Sequence, residues 1–191
     1  MKIWHPYTQQ ANELPPLEIA RGEGAYLYTP DGRSLVDAIS SWWVNLHGHA
    51  HPVIADAIAA QARKLEHVIF AGFTHAPAEE LAAALGRILP RSLKHVFYSD
   101  NGSTAVEAAL KIAVQYWHNQ GRAEKCRIIA LEHAYHGDTV GAMSISADSP
   151  FTAAFEGLRL PVLRIKTVQA LGRLLREEND KIAAMIVEPL I

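Results

Sequence analysis

The feature that most constrains the fold is an alternation of short apolar runs with segments of helical periodicity. Four runs predict strands, at residues 96–98, 127–131, 160–165 and 182–187. Three predicted helices lie between them, at residues 103–121, 137–146 and 168–178. Because parallel strands need long crossover connections, this order predicts an α/β fold whose mostly parallel sheet has helices on both faces. The last run stands next to the end of the chain, so we expect the sheet to be incomplete at its C-terminus.

The predicted helix at residues 103–121 is apolar around most of its circumference. Its polar side chains form a single stripe, made by Glu107, Lys111, Gln115 and His118. A helix that is apolar on nearly all sides needs cover on most of them, so we expect this helix to be mostly buried.

The pattern before residue 96 is different. Short apolar runs at residues 26–28 and 34–36 flank a Thr-Pro-Asp-Gly sequence, which has the chemistry of a tight turn between two strands. Helical spacing then begins at Pro52, and a second helix is predicted between Pro77 and Pro90. The first part of the chain therefore predicts a small β-meander followed by helices.

The charge balance and the cysteine content exclude several classes of protein. With 18 Lys plus Arg against 20 Asp plus Glu, the net charge is −2, whereas nucleic acid or an anionic membrane would need a one-sided basic surface. The single cysteine, Cys126, can form neither an internal disulfide nor a CxxC motif, so we expect a cytoplasmic location. Residues 1–16 lack the pattern of a signal peptide, and no apolar run approaches the ~20 residues of a membrane-spanning helix. We predict no nucleic-acid partner and no membrane association.

The clearest candidate site lies at residues 100–104, between a predicted strand and a predicted helix. The free N–H groups of a first helical turn, the hydroxyls of Ser103 and Thr104, and the close backbone approach that Gly102 permits would together hold an anion such as phosphate. The alternative is that these residue types serve only as helix N-caps. The segment is not a Walker loop or a G-x-G-x-x-G motif, and no serine stands in a G-x-S-x-G elbow.

A second candidate is the segment 132–138, which follows the next predicted strand. Ligands of open α/β sheets bind beyond the carboxyl ends of the strands, so the segments that follow the first, second and last predicted strands should converge on one crevice. Tyr135 could cover the face of a flat ring there, or it could pack locally while His136 caps a carbonyl. Glu188, at the end of a very apolar strand, either pairs with a basic group or serves the site.

Histidines and tryptophans cluster before the first predicted helix. His47, His49 and His51 would share one face of a strand, as metal ligands do, but no cysteine or acidic residue stands close by in the sequence. We therefore interpret them as turn and capping residues and predict no metal site. The adjacent Trp42 and Trp43 would point to opposite sides of an extended segment, one into the core and the other toward a pocket.

Several segments of the sequence resemble the class III pyridoxal-phosphate aminotransferases. They lie at residues 5–9, 41–49, 98–109, 135–138 and 188–189. The resemblance runs from His5 to the end of the chain and implies a fold-type-I transferase with pyridoxal 5'-phosphate as its cofactor. It also implies that residues 1–50 are part of a small domain and that residues 51–191 are the first part, truncated, of the large domain that binds the cofactor.

The same resemblance implies roles for particular residues. Gly102 and Ser103 would bind the phosphate of the cofactor, Tyr135 would stack on its pyridine ring, and Glu188 would lie near its far side. The substrate pocket would be lined by Tyr7, Trp42, Trp43 and Asp138.

Two motifs are typical of one branch of the family, the branch that acts in biotin biosynthesis. They are the His-Pro-Tyr-Thr sequence and the tryptophan pair. The branch implies a homodimer that converts 8-amino-7-oxononanoate into 7,8-diaminononanoate, with S-adenosylmethionine as the amino donor. The alternatives are another class III ω-aminotransferase, or a protein that binds a phosphate ligand without catalysis.

In the family, the Schiff-base lysine and the aspartate that pairs with the pyridine nitrogen both lie downstream of the Glu-Pro motif, which here is residues 188–189. Both would fall beyond Ile191 in this comparison. None of the chain's seven lysines stands in a matching context. We therefore expect no catalytic residue within these 191 residues, and no transaminase activity from them alone.

Overall fold

The computed structural model describes residues 3–9, 11 and 14–189. Two compact units make up the chain, Met1–Ala83 and Ala84–Ile191. The predicted boundary at residue 50, between a small and a large domain, stays a prediction. Across the described ranges, no helix combines the length and the apolar character that crossing a membrane requires.

The first unit contains a three-stranded antiparallel sheet in the order β1-β2-β3. Its strands are β1 (Arg21–Glu23), β2 (Tyr26–Tyr28) and β3 (Ser34–Val36). The predicted turn between β2 and β3 is confirmed, since the Gly32 N–H donates to the Thr29 carbonyl at 3.0 Å. Gly32 has a φ of 87°, which a glycine adopts without strain. The β-meander is therefore present as the sequence predicts.

Two predicted helices follow the meander, α1 (Pro52–Lys64) and α2 (Ala76–Ile88). Proline suits the start of α1 because the first N–H groups of a helix have no intrahelical acceptor. Basic residues lie in the last turn of each helix, and Glu79 lies in the first turn of α2. These charges stabilise the helices by opposing their dipoles.

The second unit is built on a parallel sheet in the order β5-β4-β6. Its strands are β4 (Arg127–Leu131), β5 (Val162–Ile165) and β6 (Ile182–Ile186). Its helices are α3 (Gly102–Asn119), α4 (Val140–Ile145) and α5 (Val168–Glu178), with a 3-10 helix at Ala153–Leu158. The predicted alternation of strands and helices is confirmed from α3 onward, although α4 begins at Val140 rather than at residue 137.

Helices cover both faces of this sheet, as predicted. On one face, Ile128 and Ala130 of β4 form a buried cluster against which Leu110 of α3 packs. On the other face, Ile129 belongs to a second cluster that contacts Leu171 of α5. Because successive residues of a strand point to opposite sides, the single apolar run of β4 supplies both clusters.

Two predictions for the segment before β4 are wrong. Residues 96–98 form no strand, because none of the described strands pairs with them and an apolar run needs a partner strand for its hydrogen bonds. Helix α3 is not mostly buried, since none of its residues is buried and both Ile112 and Tyr116 are more than half exposed. Only the side of α3 that carries Val106 and Leu110 packs on a core cluster.

Candidate functional site

The first predicted site forms at the start of helix α3. Asn101 is the N-cap: its side-chain oxygen accepts from the Thr104 N–H at 3.0 Å, and its own N–H donates to Thr104 Oγ1 at 3.1 Å. The N-cap interpretation is therefore confirmed for these two residues. The N–H groups of Gly102 and Ser103 donate to no acceptor within the described residues, and the space beside Gly102 is open for 4 Å. Unpaired N–H groups at the positive end of a helix suit an anion.

The segment after β4 returns to this helix start. The Asp138 N–H donates to Ser103 Oγ at 3.2 Å. Gly137 lies against the same hydroxyl, with a φ of 123°, and a side chain at this position would collide with Ser103. The two predicted segments, 100–104 and 132–138, therefore form one site, and their close approach requires glycine at position 137.

Tyr135 is held at its backbone and at its hydroxyl. Its N–H donates to Glu188 Oε2 at 2.8 Å, and its hydroxyl donates to Asp138 Oδ2 at 2.8 Å. The residue is nevertheless 59% exposed. A tyrosine whose backbone and hydroxyl are both hydrogen-bonded, and whose ring is still accessible, can cover one face of a flat ligand.

Glu188 lies two residues after the end of β6 and reaches the loop that follows the neighbouring strand β4. The observed partner of its carboxylate is a backbone N–H of the candidate site and not a basic side chain. The segments after β4 and β6 do converge, as expected at the carboxyl edge of an open α/β sheet. A role for Glu188 toward a cofactor stays a prediction.

His136 lies beside Tyr135 in the same loop. Its N–H donates to Ser146 Oγ at 2.8 Å, while its Nε2 atom is buried and has no hydrogen-bond partner among the described residues. The alternative in which His136 caps a carbonyl is therefore not observed in the described part of the chain. Burial lowers the pKa of this imidazole, although the Glu188 carboxylate acts in the opposite direction, and the ring is expected to be neutral at pH 7.

Glu107 fixes the loop from helix α3, a role that the sequence analysis missed. Its Oε1 atom accepts from the Gly141 N–H at 2.7 Å, at the start of α4. A side chain at position 141 would collide with this carboxylate. Glu107 follows Ser103 at i+4, so both residues lie on one face of α3. The i, i+4 spacing of the two residues is the sequence feature that could have predicted that both side chains contact one neighbouring segment.

Two arginines fix the far end of α4, and no sequence pattern singled them out. Arg164 donates to the carbonyls of Ser144 at 2.8 Å and Ser146 at 2.6 Å, and Arg159 reaches the same two carbonyls at 3.4 and 3.0 Å. Asp148 accepts from Arg159 at 2.6 Å. Burial, together with the positive charge of Arg159, lowers the pKa of Arg164. The carbonyl end of a helix is electronegative, which favours the two cations there.

The predicted pocket residues Tyr7, Trp42 and Trp43 belong to the first unit. The rings of Tyr7 and Trp42 meet edge to face, with centroids 5.5 Å apart. Trp42 is 57% exposed and Trp43 is 77% exposed, so the prediction that one of them is a core residue is wrong. The reason is the backbone: residues 40–43 form a left-handed turn instead of an extended segment, and side chains do not alternate along it.

The histidines of the first unit have separate contacts. His49 Nε2 lies 2.8 Å from Asp37 Oδ2, and the rings of His47 and His51 meet edge to face at 6.1 Å. His51 occupies the N-cap position of α1 but makes no side-chain capping bond, so its predicted capping role is wrong. Among the described residues, no three His, Cys, Asp or Glu side chains are grouped so as to hold a metal ion.

Comparison with known proteins places the chain in a family. Residues 7–191 match the model of the class-III aminotransferases, and the chain belongs to that family. A relative in Synechococcus elongatus, named adenosylmethionine-8-amino-7-oxononanoate aminotransferase, is 50% identical, and the match covers 99% of this chain and 48% of the relative. The predicted resemblance is thereby confirmed.

Solved structures support the same assignment. The adenosylmethionine-8-amino-7-oxononanoate aminotransferase of Methanocaldococcus jannaschii superimposes with a TM-score of 0.86 at 37% identity, over 96% of this chain and 44% of that one. The ω-transaminase of Pseudomonas jessenii, solved in complex with PMP, gives a TM-score of 0.86 at 26% identity, over 100% and 47% of the two chains. The predicted fold class is confirmed. The chain spans about half the length of the curated relatives that it matches.

Proposed function

We propose that these residues belong to a pyridoxal-phosphate aminotransferase that converts 8-amino-7-oxononanoate into 7,8-diaminononanoate. The observation that carries the proposal is the contact between Asp138 and Ser103, because it joins the loop of the exposed Tyr135 to a helix start whose N–H groups could hold an anion. A phosphate and a flat ring are the two recognisable parts of the cofactor. The names of the similar proteins in Synechococcus and Methanocaldococcus support the substrate.

The residues at the start of α3 fit the phosphate. The N–H groups of Gly102 and Ser103 supply donors, the Ser103 hydroxyl supplies a further polar group, and the helix dipole favours the negative charge. The capping box of Asn101 and Thr104 uses other groups, so it does not compete with the ligand. We call Gly102 and Ser103 the phosphate cradle.

Tyr135 fits the ring of the cofactor. Its backbone is fixed by Glu188 and its hydroxyl by Asp138, so the ring is held in one orientation before a ligand arrives. Such preorganisation lowers the entropy that binding costs. The cofactor, when bound, supplies an electron sink for the bond changes at the substrate carbon. The roles of Tyr135 and Glu188 are to orient that ring and to keep the cradle and the loop together.

Tyr7, Trp42 and Trp43 are proposed to line the substrate pocket. The acceptor 8-amino-7-oxononanoate carries a long apolar chain, and exposed aromatic rings bind such a chain by removing its surface from water. Asp138, which accepts from the Tyr135 hydroxyl, would offer its carboxylate to a substrate amine. We also propose that the amino donor is S-adenosylmethionine, that the protein is a homodimer and that it is located in the cytoplasm.

The direct test is turnover by the full-length protein. Purified protein loaded with pyridoxal phosphate is incubated with 8-amino-7-oxononanoate and S-adenosylmethionine, and the diamine product is measured by mass spectrometry. We expect the diamine to form. Equal or faster transfer between simple ω-amines and pyruvate would favour the ω-aminotransferase alternative. A protein that retains the cofactor and transfers no amino group would favour phosphate-ligand binding without catalysis.

A pair of tryptophan variants tests the pocket. Trp43→Ala should raise the KM for 8-amino-7-oxononanoate with little change in melting temperature, because Trp43 is 77% exposed. The matched control is Trp117→Phe, since Trp117 Nε1 donates to the Ala183 carbonyl at 2.7 Å and its ring lies 4.4 Å from the Lys125 ammonium. That control should lower the melting temperature and leave the KM unchanged. The opposite pattern would remove Trp43 from the pocket.

A further inference from the structure

Four consecutive residues of the first unit adopt left-handed backbone conformations. Ser40, Ser41, Trp42 and Trp43 have φ values of 48°, 47°, 61° and 66°. For residues other than glycine the left-handed conformation is unfavourable, and runs of such residues do not form spontaneously. The left-handed turn Ser40–Trp43 therefore exists only because neighbouring groups hold it, and backbone strain of this kind concentrates at functional sites.

Besides the backbone bond from the Trp43 N–H to the Ile39 carbonyl at 2.9 Å, the turn is held by the side chain of Asp37. Its Oδ1 atom accepts from the Ser41 N–H at 3.0 Å, and its Oδ2 atom accepts from the Ser41 hydroxyl at 2.7 Å. Its backbone carbonyl accepts from the Ser40 N–H at 3.2 Å. The Asp37 side chain is only 6% exposed, so water does not compete effectively for these bonds.

His49 contacts the same Asp37 oxygen that accepts from the Ser41 hydroxyl. Its Nε2 atom lies 2.8 Å from Asp37 Oδ2, and its side chain is 15% exposed. Its backbone exchanges two hydrogen bonds with Gly24, at 3.1 and 2.7 Å, and a side chain at Gly22 would collide with the imidazole. The imidazole therefore packs against the meander, and its contact with Asp37 connects the carboxylate to the sheet.

The turn carries the tryptophan pair. Trp42 meets the Tyr7 ring edge to face at 5.5 Å, and Tyr7 itself has a left-handed φ of 54°. The two indoles stay more than half exposed, so apart from the Tyr7 contact little packing fixes their directions. Their directions depend on the backbone of the turn, and the backbone depends on Asp37.

We propose that Asp37, fixed by His49, is a positioning residue that sets the affinity for the apolar amino acceptor by holding the turn that presents Trp42 and Trp43. The inference rests on the proposed function, in which these rings bind 8-amino-7-oxononanoate. Asp37 itself is proposed to touch neither substrate nor cofactor. It acts on substrate binding alone, and the phosphate cradle of the second unit does not depend on it.

Steady-state kinetics of the full-length protein test the proposal. Asp37→Ala should raise the KM for 8-amino-7-oxononanoate at least tenfold, while kcat stays within twofold and the absorbance of the bound cofactor is unchanged. The matched control is Asp31→Asn, since Asp31 belongs to the same meander but pairs with Thr29 and Arg33. It should leave the KM unchanged. His49→Gln, which keeps an N–H donor for Asp37, should restore affinity lost in His49→Ala.

Fluorine NMR separates this inference from the proposed function. The chain has four tryptophans, and 5-fluorotryptophan labelling with single Trp→Phe variants assigns their resonances. Asp37→Ala should shift the Trp42 and Trp43 resonances and leave that of Trp117, in the second unit, unchanged. These shifts are measured without substrate, so they decide the positioning role even if the wild-type protein acts on a different acceptor.

Two results would overturn the positioning role. One is an unchanged KM together with unchanged Trp42 and Trp43 resonances in Asp37→Ala. The other is a KM that rises equally in Asp31→Asn, which would indicate a general loss of stability in the meander. If Asp37→Ala does not fold, Ser41→Ala replaces it, because that variant removes only the 2.7 Å hydroxyl bond to Asp37. It should raise the KM by about threefold, and an unchanged KM would again overturn the role.

Discussion

The Tyr135 N–H donates to Glu188 Oε2 at 2.8 Å, and this bond joins two segments that are 53 residues apart in the chain. It connects the loop after β4 to the end of β6, while the Asp138 N–H connects the same loop to Ser103 on α3. The loop is therefore fixed at two points, and Tyr135 and the start of α3 have a defined relative position without any ligand.

The first prediction concerns the two adjacent hydroxyls at the start of α3. Ser103→Ala removes a polar group from the phosphate cradle and the acceptor of the Asp138 N–H, so it should weaken retention of pyridoxal phosphate. A lost charge-assisted hydrogen bond corresponds to about 1.5–3 kcal/mol. The measurement is the rate at which dialysis removes the cofactor from the full-length protein.

Thr104→Ala is the matched control for Ser103→Ala. The Thr104 side chain bonds to Asn101 and Ser99, so its loss removes one of the two bonds of the capping box, and the bond from the backbone N–H of residue 104 to the Asn101 side chain remains. We expect a cost of about 1 kcal/mol of stability. Cofactor retention should stay near the parent value. If both variants lose the cofactor at the same rate, the Ser103 hydroxyl has no particular role in holding it.

Gly137 gives the second prediction. Gly137→Ala places a methyl group against Ser103 and forces a φ of 123° on a residue with a side chain, so it should separate the loop from the helix start. We expect a loss of about 1–3 kcal/mol of stability from the backbone alone. Weaker cofactor absorbance should accompany that loss.

Gly172→Ala is the control for this glycine substitution. Gly172 lies within α5, where the nearest atom to an added methyl group is 3.7 Å away. Alanine should stabilise that helix by about 0.5–1 kcal/mol because it favours helical conformations. A Gly137→Ala protein that melts and absorbs like its parent would contradict the close approach of loop and helix.

The third prediction separates the ring of Tyr135 from its hydroxyl. Tyr135→Phe keeps the aromatic face and the backbone bond to Glu188, and it loses the 2.8 Å bond from the hydroxyl to Asp138. The absorbance of the bound cofactor should survive, while the KM for the amino substrate should change because Asp138 loses a partner. Disappearance of the absorbance band, with the melting temperature intact, would show that stacking is not the main role of Tyr135.

The strands of the second unit illustrate what a sequence predicts about a fold. The apolar run of β4 and the helices on either side of it were predictable, because local periodicity determines which side chains can be buried. Residues 96–98 are also apolar and rich in strand-forming side chains, yet they form no strand. Strand formation depends on a neighbour in space, and composition carries no information about that neighbour.

The site was predictable only in part, for a similar reason. Ser103 and Tyr135 could be singled out by residue type and by their positions after predicted strands, although their roles toward the cofactor stay predictions. The contacts that fix the loop and α4 were not predicted, because two of them depend on tertiary packing: Arg164 donates to the Ser146 carbonyl, and the Gly141 N–H donates to Glu107. The left-handed turn at residues 40–43 was also missed, because its residue types do not favour that conformation.

The last prediction concerns pH and the carboxylate that holds this turn. Bonds from the Ser41 N–H and hydroxyl, with a smaller contribution from His49, lower the pKa of Asp37 from 3.8 to about 2. A carboxyl whose pKa is lowered by folding binds its proton less readily in the folded state than in the unfolded state. Its contribution to stability is therefore complete above about pH 4 and is lost as the pH falls toward 2.

Asp37→Asn removes this titration and should change the pH dependence in a defined window. Urea unfolding of the full-length protein at pH 5, 4, 3 and 2 should show a parent more stable than the variant at pH 5, with a difference that shrinks between pH 4 and pH 2. Asp56→Asn, at an exposed position on α1, should follow the parent throughout and serves as the control. A difference between parent and Asp37→Asn that is the same at pH 5 and pH 2 would mean that the charge of Asp37 does not hold the left-handed turn.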